Sequence, residues 1–144
     1  MSVKFVVGYD GSVSAKRALN FAVNRAETLG GSVVVAHVLE WAPYSFLTPS
    51  ELDERHKRRQ KEISRAKKAV IDPVMEEVSG KGISISSEIR YGKIADILSE
   101  IAKETEADQL VIARSSQDGL SARVFGSVAN SLVQSAPVPC TVVP

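Results

Sequence analysis

The sequence predicts an open α/β fold, a mostly parallel sheet with helices on both faces. Three observations predict it. Short apolar runs alternate with segments of helical periodicity in the order β-α-β-α-β-α-β-α-β. The second run, Val33-Val34-Val35-Ala36-His37-Val38-Leu39, is almost continuously apolar, which implies burial on both faces. Glycine, serine and proline punctuate the runs where crossovers must begin and end, and right-handed crossovers are strongly favoured.

The elements follow in order. Val3 to Tyr9, rich in β-branched and aromatic residues, reads as a buried strand ended by Asp10-Gly11-Ser12. Ser12 and Ser14 both suit the cap of the next helix, whose stripe is Ala15, Leu19, Ala22, Val23 and Ala26. Leu29-Gly30-Gly31 stops it, and Ser32 to Leu39 is the second strand. Glu40 to Ser50 is a loop carrying Trp41, Pro43, Tyr44, Phe46, Leu47 and Pro49. A long helical segment runs from about Glu51 to Ser79. Its first half has almost no apolar face; its second half has Ile63, Ala66, Val70, Val74, Met75 and Val78. Pro73 should kink that helix or remove the bond back to Ala69. After Gly80-Lys81-Gly82, Ile83, Ile85 and Ile89 alternate as a strand near a sheet edge. Tyr91-Gly92 precedes a helix with Ile94, Ile97, Leu98 and Ile101 on one face. Gln109 to Ala113 is a fourth strand. A helix begins near Ser127 and carries Val128, Leu132 and Val133; Pro137-Val138-Pro139 breaks it, and Cys140 to Val143 is the last strand.

The 144 residues read as one domain, residues 1–144, able to bury a core without covalent staples. A formal net charge of +1 argues against long-range steering toward nucleic acid or anionic membrane. The single cysteine, Cys140, excludes an intrachain disulfide and reads as a small buried hydrophobe. Neither a signal peptide nor a membrane-length apolar stretch is visible, so the expectation is a cytoplasmic protein without membrane insertion.

Ligands of open α/β sheets sit at the carboxyl ends of strands where the strand order reverses. Asp10 ends the first strand there. It reads either as a carboxylate for a ligand hydroxyl or as an ordinary turn aspartate. The fourth strand opens into Arg114-Ser115-Ser116-Gln117-Asp118-Gly119, and the chain enters the next helix at Gly126-Ser127. Backbone N–H groups and a hydroxyl at that helix start suit a phosphate, or Ser127 simply caps. Arg114 and Arg123 can neutralise phosphate charge or lie on the surface, and Asp118 would oppose an anion if it pointed inward. His37 reads as a satisfied strand histidine and His56 as solvent-facing; neither has metal-ligand spacing with Cys140. The basic run Lys57-Arg58-Arg59, with Lys61, Arg65, Lys67 and Lys68, is interleaved with Glu51, Asp53, Glu54 and Glu62. It reads as a solvated helix with pairs such as Glu54 with Arg58, rather than a nucleic-acid surface.

These residues resemble the universal stress protein family along essentially the whole chain. The resemblance lies in Val6-Val7-Gly8-Tyr9-Asp10-Gly11-Ser12, Ala36-His37-Val38, Tyr91-Gly92-Lys93-Ile94-Ala95, Ala107-Asp108-Gln109-Leu110-Val111-Ile112, Gly126-Ser127-Val128-Ala129 and Ala136-Pro137-Val138-Pro139-Cys140. It implies a five-stranded parallel sheet of order 3-2-1-4-5, adenine-nucleotide α-hydrolase-like, in a stress-response homodimer often paired through the last strand. Members divide into ATP binders, with Mg²⁺ on the bound nucleotide, and non-binders that act through a protein partner. In binders Asp10 would lie near ribose and adenine, and the backbone of Val38 would touch adenine. Binders hold phosphate with a glycine, two residues, a second glycine, nine residues and Gly-Ser or Gly-Thr. Ala113 and Ser116 stand at the two glycine positions, Gly126-Ser127 is intact, and Gly119 lies in the loop outside the motif. A left-handed backbone at Ala113 or Ser116 would cost on the order of 1–2 kcal/mol each. No clear general base is visible, so the resemblance implies at most a weak ATPase.

Overall fold

The computed structural model describes residues 2–40, 48–114 and 126–144. Five strands, β1 (Lys4–Gly8), β2 (Ser32–Leu39), β3 (Ser84–Tyr91), β4 (Gln109–Ala113) and β5 (Cys140–Val143), form one sheet of order β3-β2-β1-β4-β5. Every pairing is parallel, with Val6 beside Val34 on one side and Leu110 on the other. This is the expected architecture and strand order.

Side-chain alternation along the strands divides the core into two layers. Phe5, Val7, Val33, Val35 and Val111 face α1 (Val13–Leu29) and α3 (Asp72–Val78). Val6, Val34, Ala36, Leu110 and Ile112 face α4 (Ile94–Glu104) and α5 (Ser127–Ser135). Central β1 is covered on both faces, and Val6 and Val7 have no exposed surface. The close passage between α1 and β2 needs a residue without a Cβ. At Gly31 a Cβ would stand 2.2 Å from the Val3 carbonyl oxygen.

The long helical segment is broken as Pro73 requires, but by widening. α2 (Pro49–Ala66) passes into a π-helical turn, Lys67–Ile71, and then α3. The Asp72 N–H reaches back five residues to the Lys67 carbonyl. The wide turn accommodates the proline ring, which cannot sit against a carbonyl four residues back. α2 starts at Pro49, before the expected Glu51, because Thr48 and Glu51 close a reciprocal capping box. Ala66 alone is buried on α2, as its polar first half suggests.

Three smaller expectations change. Cys140 is only half-buried, because β5 is an edge strand. Val133 is 53% exposed, since α5 turns Ala129 and Leu132 to the sheet. Glu54 and Arg58 form no ion pair. Among the described residues no helix is long and apolar enough to cross a membrane.

Candidate functional site

β1 leads outward through α1 to β2, whereas β4 leads the opposite way through α5 to β5. The strand order reverses between β1 and β4, and a crevice opens at their carboxyl ends. Its volume is about 130 Å³.

One wall is the turn after β1. The Tyr9 N–H donates to the Ala36 carbonyl at 2.8 Å, and His37 Nδ1 donates to the Tyr9 carbonyl at 2.7 Å. Both peptide groups of Tyr9 are thereby tied to β2. His37 is the satisfied histidine the sequence suggests, and it fixes the residue before Asp10. Asp10 Oδ1 accepts the Ser12 N–H at 2.9 Å, and Ser12 Oγ accepts the Ala15 N–H at 3.1 Å, capping α1. Gly11 between them has φ +86°, a left-handed conformation costly for other residues. Asp10 thus fills the turn role with one oxygen, and its exposed side chain lines the crevice.

The other wall is the gap between β4 and α5. The Arg114 N–H donates to the Val143 carbonyl at 2.8 Å, and the Arg114 carbonyl accepts the Gly126 N–H at 3.2 Å. Residues 114 and 126 are therefore joined, although eleven residues separate them in sequence. Gly126 is the N-cap of α5. Among the described residues no side chain caps the helix, and its first turn holds no acidic residue. Its first free N–H groups and positive dipole end are thus not offset by an acid of its own first turn. Arg114 lines the crevice and makes no ion pair among the described residues.

Six residues singled out in the sequence line this one crevice: Asp10, Val38, Ala113, Arg114, Gly126 and Ser127. Ala113 ends β4 in extended backbone; among described non-glycine residues only Glu106 has a positive φ. The feared left-handed cost does not arise at Ala113. Ser116, Gly119, Asp118, Arg123 and the Trp41 to Leu47 cluster lie outside the described residues. The sequence reading missed the apolar floor, Ala36, Leu98 and Ile112, because buried residues under a crevice carry the same pattern as core. Gly8 belongs to that floor: a Cβ there would come 3.0 Å from Leu98 Cδ1.

Residues 1–144 match the universal stress protein family. The chain belongs to that family. Universal stress protein MJ0531 of Methanocaldococcus jannaschii is 27% identical over 140 residues, 97% of this chain and 81% of that protein. The universal stress protein UspA of Lactobacillus plantarum has the same fold. Its TM-score is 0.83 and its identity 24%, with 99% of this chain and 97% of the other covered. A universal stress protein of Arabidopsis thaliana, solved with AMP bound, superposes with a TM-score of 0.65 at 18% identity, over 98% of this chain and 90% of its own. Nucleotide binding thus occurs within the universal stress proteins.

Proposed function

We propose that this universal stress protein binds an adenine nucleotide in the crevice between β1 and β4 and works as a nucleotide-responsive regulator. The observation that carries the reading is the shared crevice: Asp10 on one wall faces Gly126 and Ser127 on the other, across Val38 and Ala113. The second carboxylate oxygen of Asp10 accepts a ribose hydroxyl. The backbone of Val38 borders adenine, and the apolar floor excludes water beneath it. The α5 N-terminus and Arg114 supply N–H groups and positive charge for the phosphate nearest the ribose. ATP with Mg²⁺ is one member of this ligand class, and the AMP-bound Arabidopsis protein makes the monophosphate another. Among the described residues no cluster of His, Cys, Asp and Glu suits a metal, so magnesium would arrive on the phosphates. His37 Nδ1 is committed to a carbonyl and Asp10 Oδ1 to a turn, so the chain is read as a binder rather than a hydrolase.

A homodimer paired through β5 accompanies this reading. β5 is a sheet edge whose four residues are all partly exposed, and a bare edge is a template for another strand. The second reading is a universal stress protein that works through a protein partner without nucleotide; the replacement of both motif glycines by Ala113 and Ser116 favours it. Two measurements decide. Mass spectrometry of denatured protein purified from cells should release an adenine nucleotide. Calorimetric titration with AMP, ADP and ATP, with and without magnesium, should show saturable heat. Absence of heat at millimolar ligand would overturn nucleotide binding.

A further inference from the structure

The charge of this chain is unevenly placed. Arg55 to Lys68 holds eight of its 18 basic residues and one of its 17 acidic ones, Glu62, so the remainder is net acidic. The acids that were expected to pair with the basic run form no ion pair with it among the described residues. Glu62 accepts the Tyr91 hydroxyl, beneath which Arg59 stacks at 5.3 Å from the ring centre. Glu51 is used in the capping box, and neither Asp53 nor Glu54 forms an ion pair. Lys67 pairs with Asp72 at 3.4 Å. Lys57, Arg58, Lys61, Arg65 and Lys68 are all exposed and make no ion pair among the described residues.

Helical spacing sets these cations in a row. Lys57, Lys61 and Arg65 on α2, and Lys68 in the π-helical turn that continues it, follow at four, four and three residues on the side away from buried Ala66. The row spans roughly 16 Å, with steps of about 6 Å. With Gln60 and Ser64 it lines a shallow groove. Like charges at these spacings oppose the helix, so the row is a destabilising arrangement that a polyanion would relieve.

The composition of the face selects the polyanion. Among the described residues no apolar side chain lines the groove, so the face lacks the buried stripe an amphipathic helix inserts into a bilayer. Protein interfaces are depleted in lysine and built on aromatic or aliphatic anchors, which are missing from the described residues of this groove. Among the described residues it also lacks an aromatic platform for stacking unpaired bases. It offers cations at a pitch suited to successive phosphates, flanked by an amide and a hydroxyl that also bond phosphate oxygens. We propose that the exposed face of α2 binds the sugar–phosphate backbone of double-stranded nucleic acid without reading its sequence.

The test is fluorescence anisotropy of the full chain with labelled DNA and RNA duplexes of about 20 base pairs, alongside phosphatidylserine vesicles. Neutralising about four phosphates predicts a salt slope near −4 and a loss of affinity on the order of 10²-fold between 50 and 200 mM salt. Lys61→Glu with Arg65→Glu should abolish binding, while Lys61→Arg with Arg65→Lys keeps it. The first pair of changes relieves like-charge repulsion at exposed positions, so circular dichroism should show an unlowered melting temperature, which excludes unfolding as the cause. Duplex binding equal to wild type in the Lys61→Glu, Arg65→Glu protein would overturn the proposal. So would failure of the wild type to bind duplex at 50 mM salt, including the case where it binds only vesicles.

Discussion

Asp10 carries two loads, and two substitutions separate them. Asp10→Ala removes the Oδ1 acceptor of the Ser12 N–H, a 2.9 Å bond that shapes the entry to α1. It also removes the second oxygen. A net intramolecular hydrogen bond is worth about 0.5–1.5 kcal/mol, so Asp10→Ala should lower stability by roughly 1 kcal/mol. Asp10→Asn keeps an oxygen for the Ser12 N–H, because asparagine forms the same turn, and should leave stability within ~0.5 kcal/mol of wild type. For the ligand the ranking changes. A hydrogen bond to a charged group is worth about 1.5–3 kcal/mol, and the amide has lost the anionic acceptor. Both variants should weaken AMP and ATP binding by roughly ten- to a hundredfold. Urea denaturation gives the stabilities and isothermal calorimetry the affinities. If Asp10→Asn binds nucleotide as wild type does, the carboxylate serves the turn alone, and its role in ligand recognition is wrong.

Other consequences are equally direct. Gly31→Ala places a Cβ 2.2 Å from the Val3 carbonyl oxygen, which also accepts the Ser32 N–H. Denaturant melts should show a loss of about 2 kcal/mol or more, and a loss under 0.5 kcal/mol would contradict the packing. Tyr91 is pushed up to about 12 by burial first and then by its bond to Glu62, against the opposing pull of Arg59. A raised folded value favours the protonated phenol, so this contribution is whole below pH 10 and disappears as pH rises toward 12. Absorbance titration near 295 nm should show a late tyrosine that Tyr91→Phe removes; identical curves would refute it. Burial also pushes the Cys140 thiol up. Near pH 8 a thiol reagent should label native protein more slowly than unfolded protein, and equal rates would show that β5 leaves the sulfur open.

Much of this architecture was legible because its signals are local. Val33 to Leu39 can be continuously apolar only if helices cover both faces, and the structure buries its Val33 to His37 stretch, with Val33 and Val35 in one core layer and Val34 and Ala36 in the other. Ser12, Gly30 and Pro137 mark boundaries by chemistry that needs no distant partner. The crevice was legible only in outline. Asp10 and Gly126 are 116 positions apart, and their meeting depends on β1 lying beside β4. Its floor escaped notice because Leu98 and Ile112 obey the core pattern whether or not a ligand lies above them. The pairing of Glu54 with Arg58 failed for a different reason. Sequence spacing permits such a pair, but solvated side chains gain little by making it. The Glu62 carboxylate, by contrast, was drawn to Tyr91 on a strand 29 residues away.

The π-helical turn from Lys67 to Ile71 also acts as an angular setting for everything before it. It holds one residue more than a regular turn would need, and each residue of an α-helix advances about 100° around the axis. Deleting a single residue there, with Pro73 replaced by alanine so that a regular helix can close, would let the rod run straight through while swinging its far half by about that angle. The lysine row would roll toward the protein body, and Tyr91 would lose both Arg59 and Glu62. Length at this one place therefore governs which side of a distant segment the solvent sees, and a change that keeps every charge can still hide them.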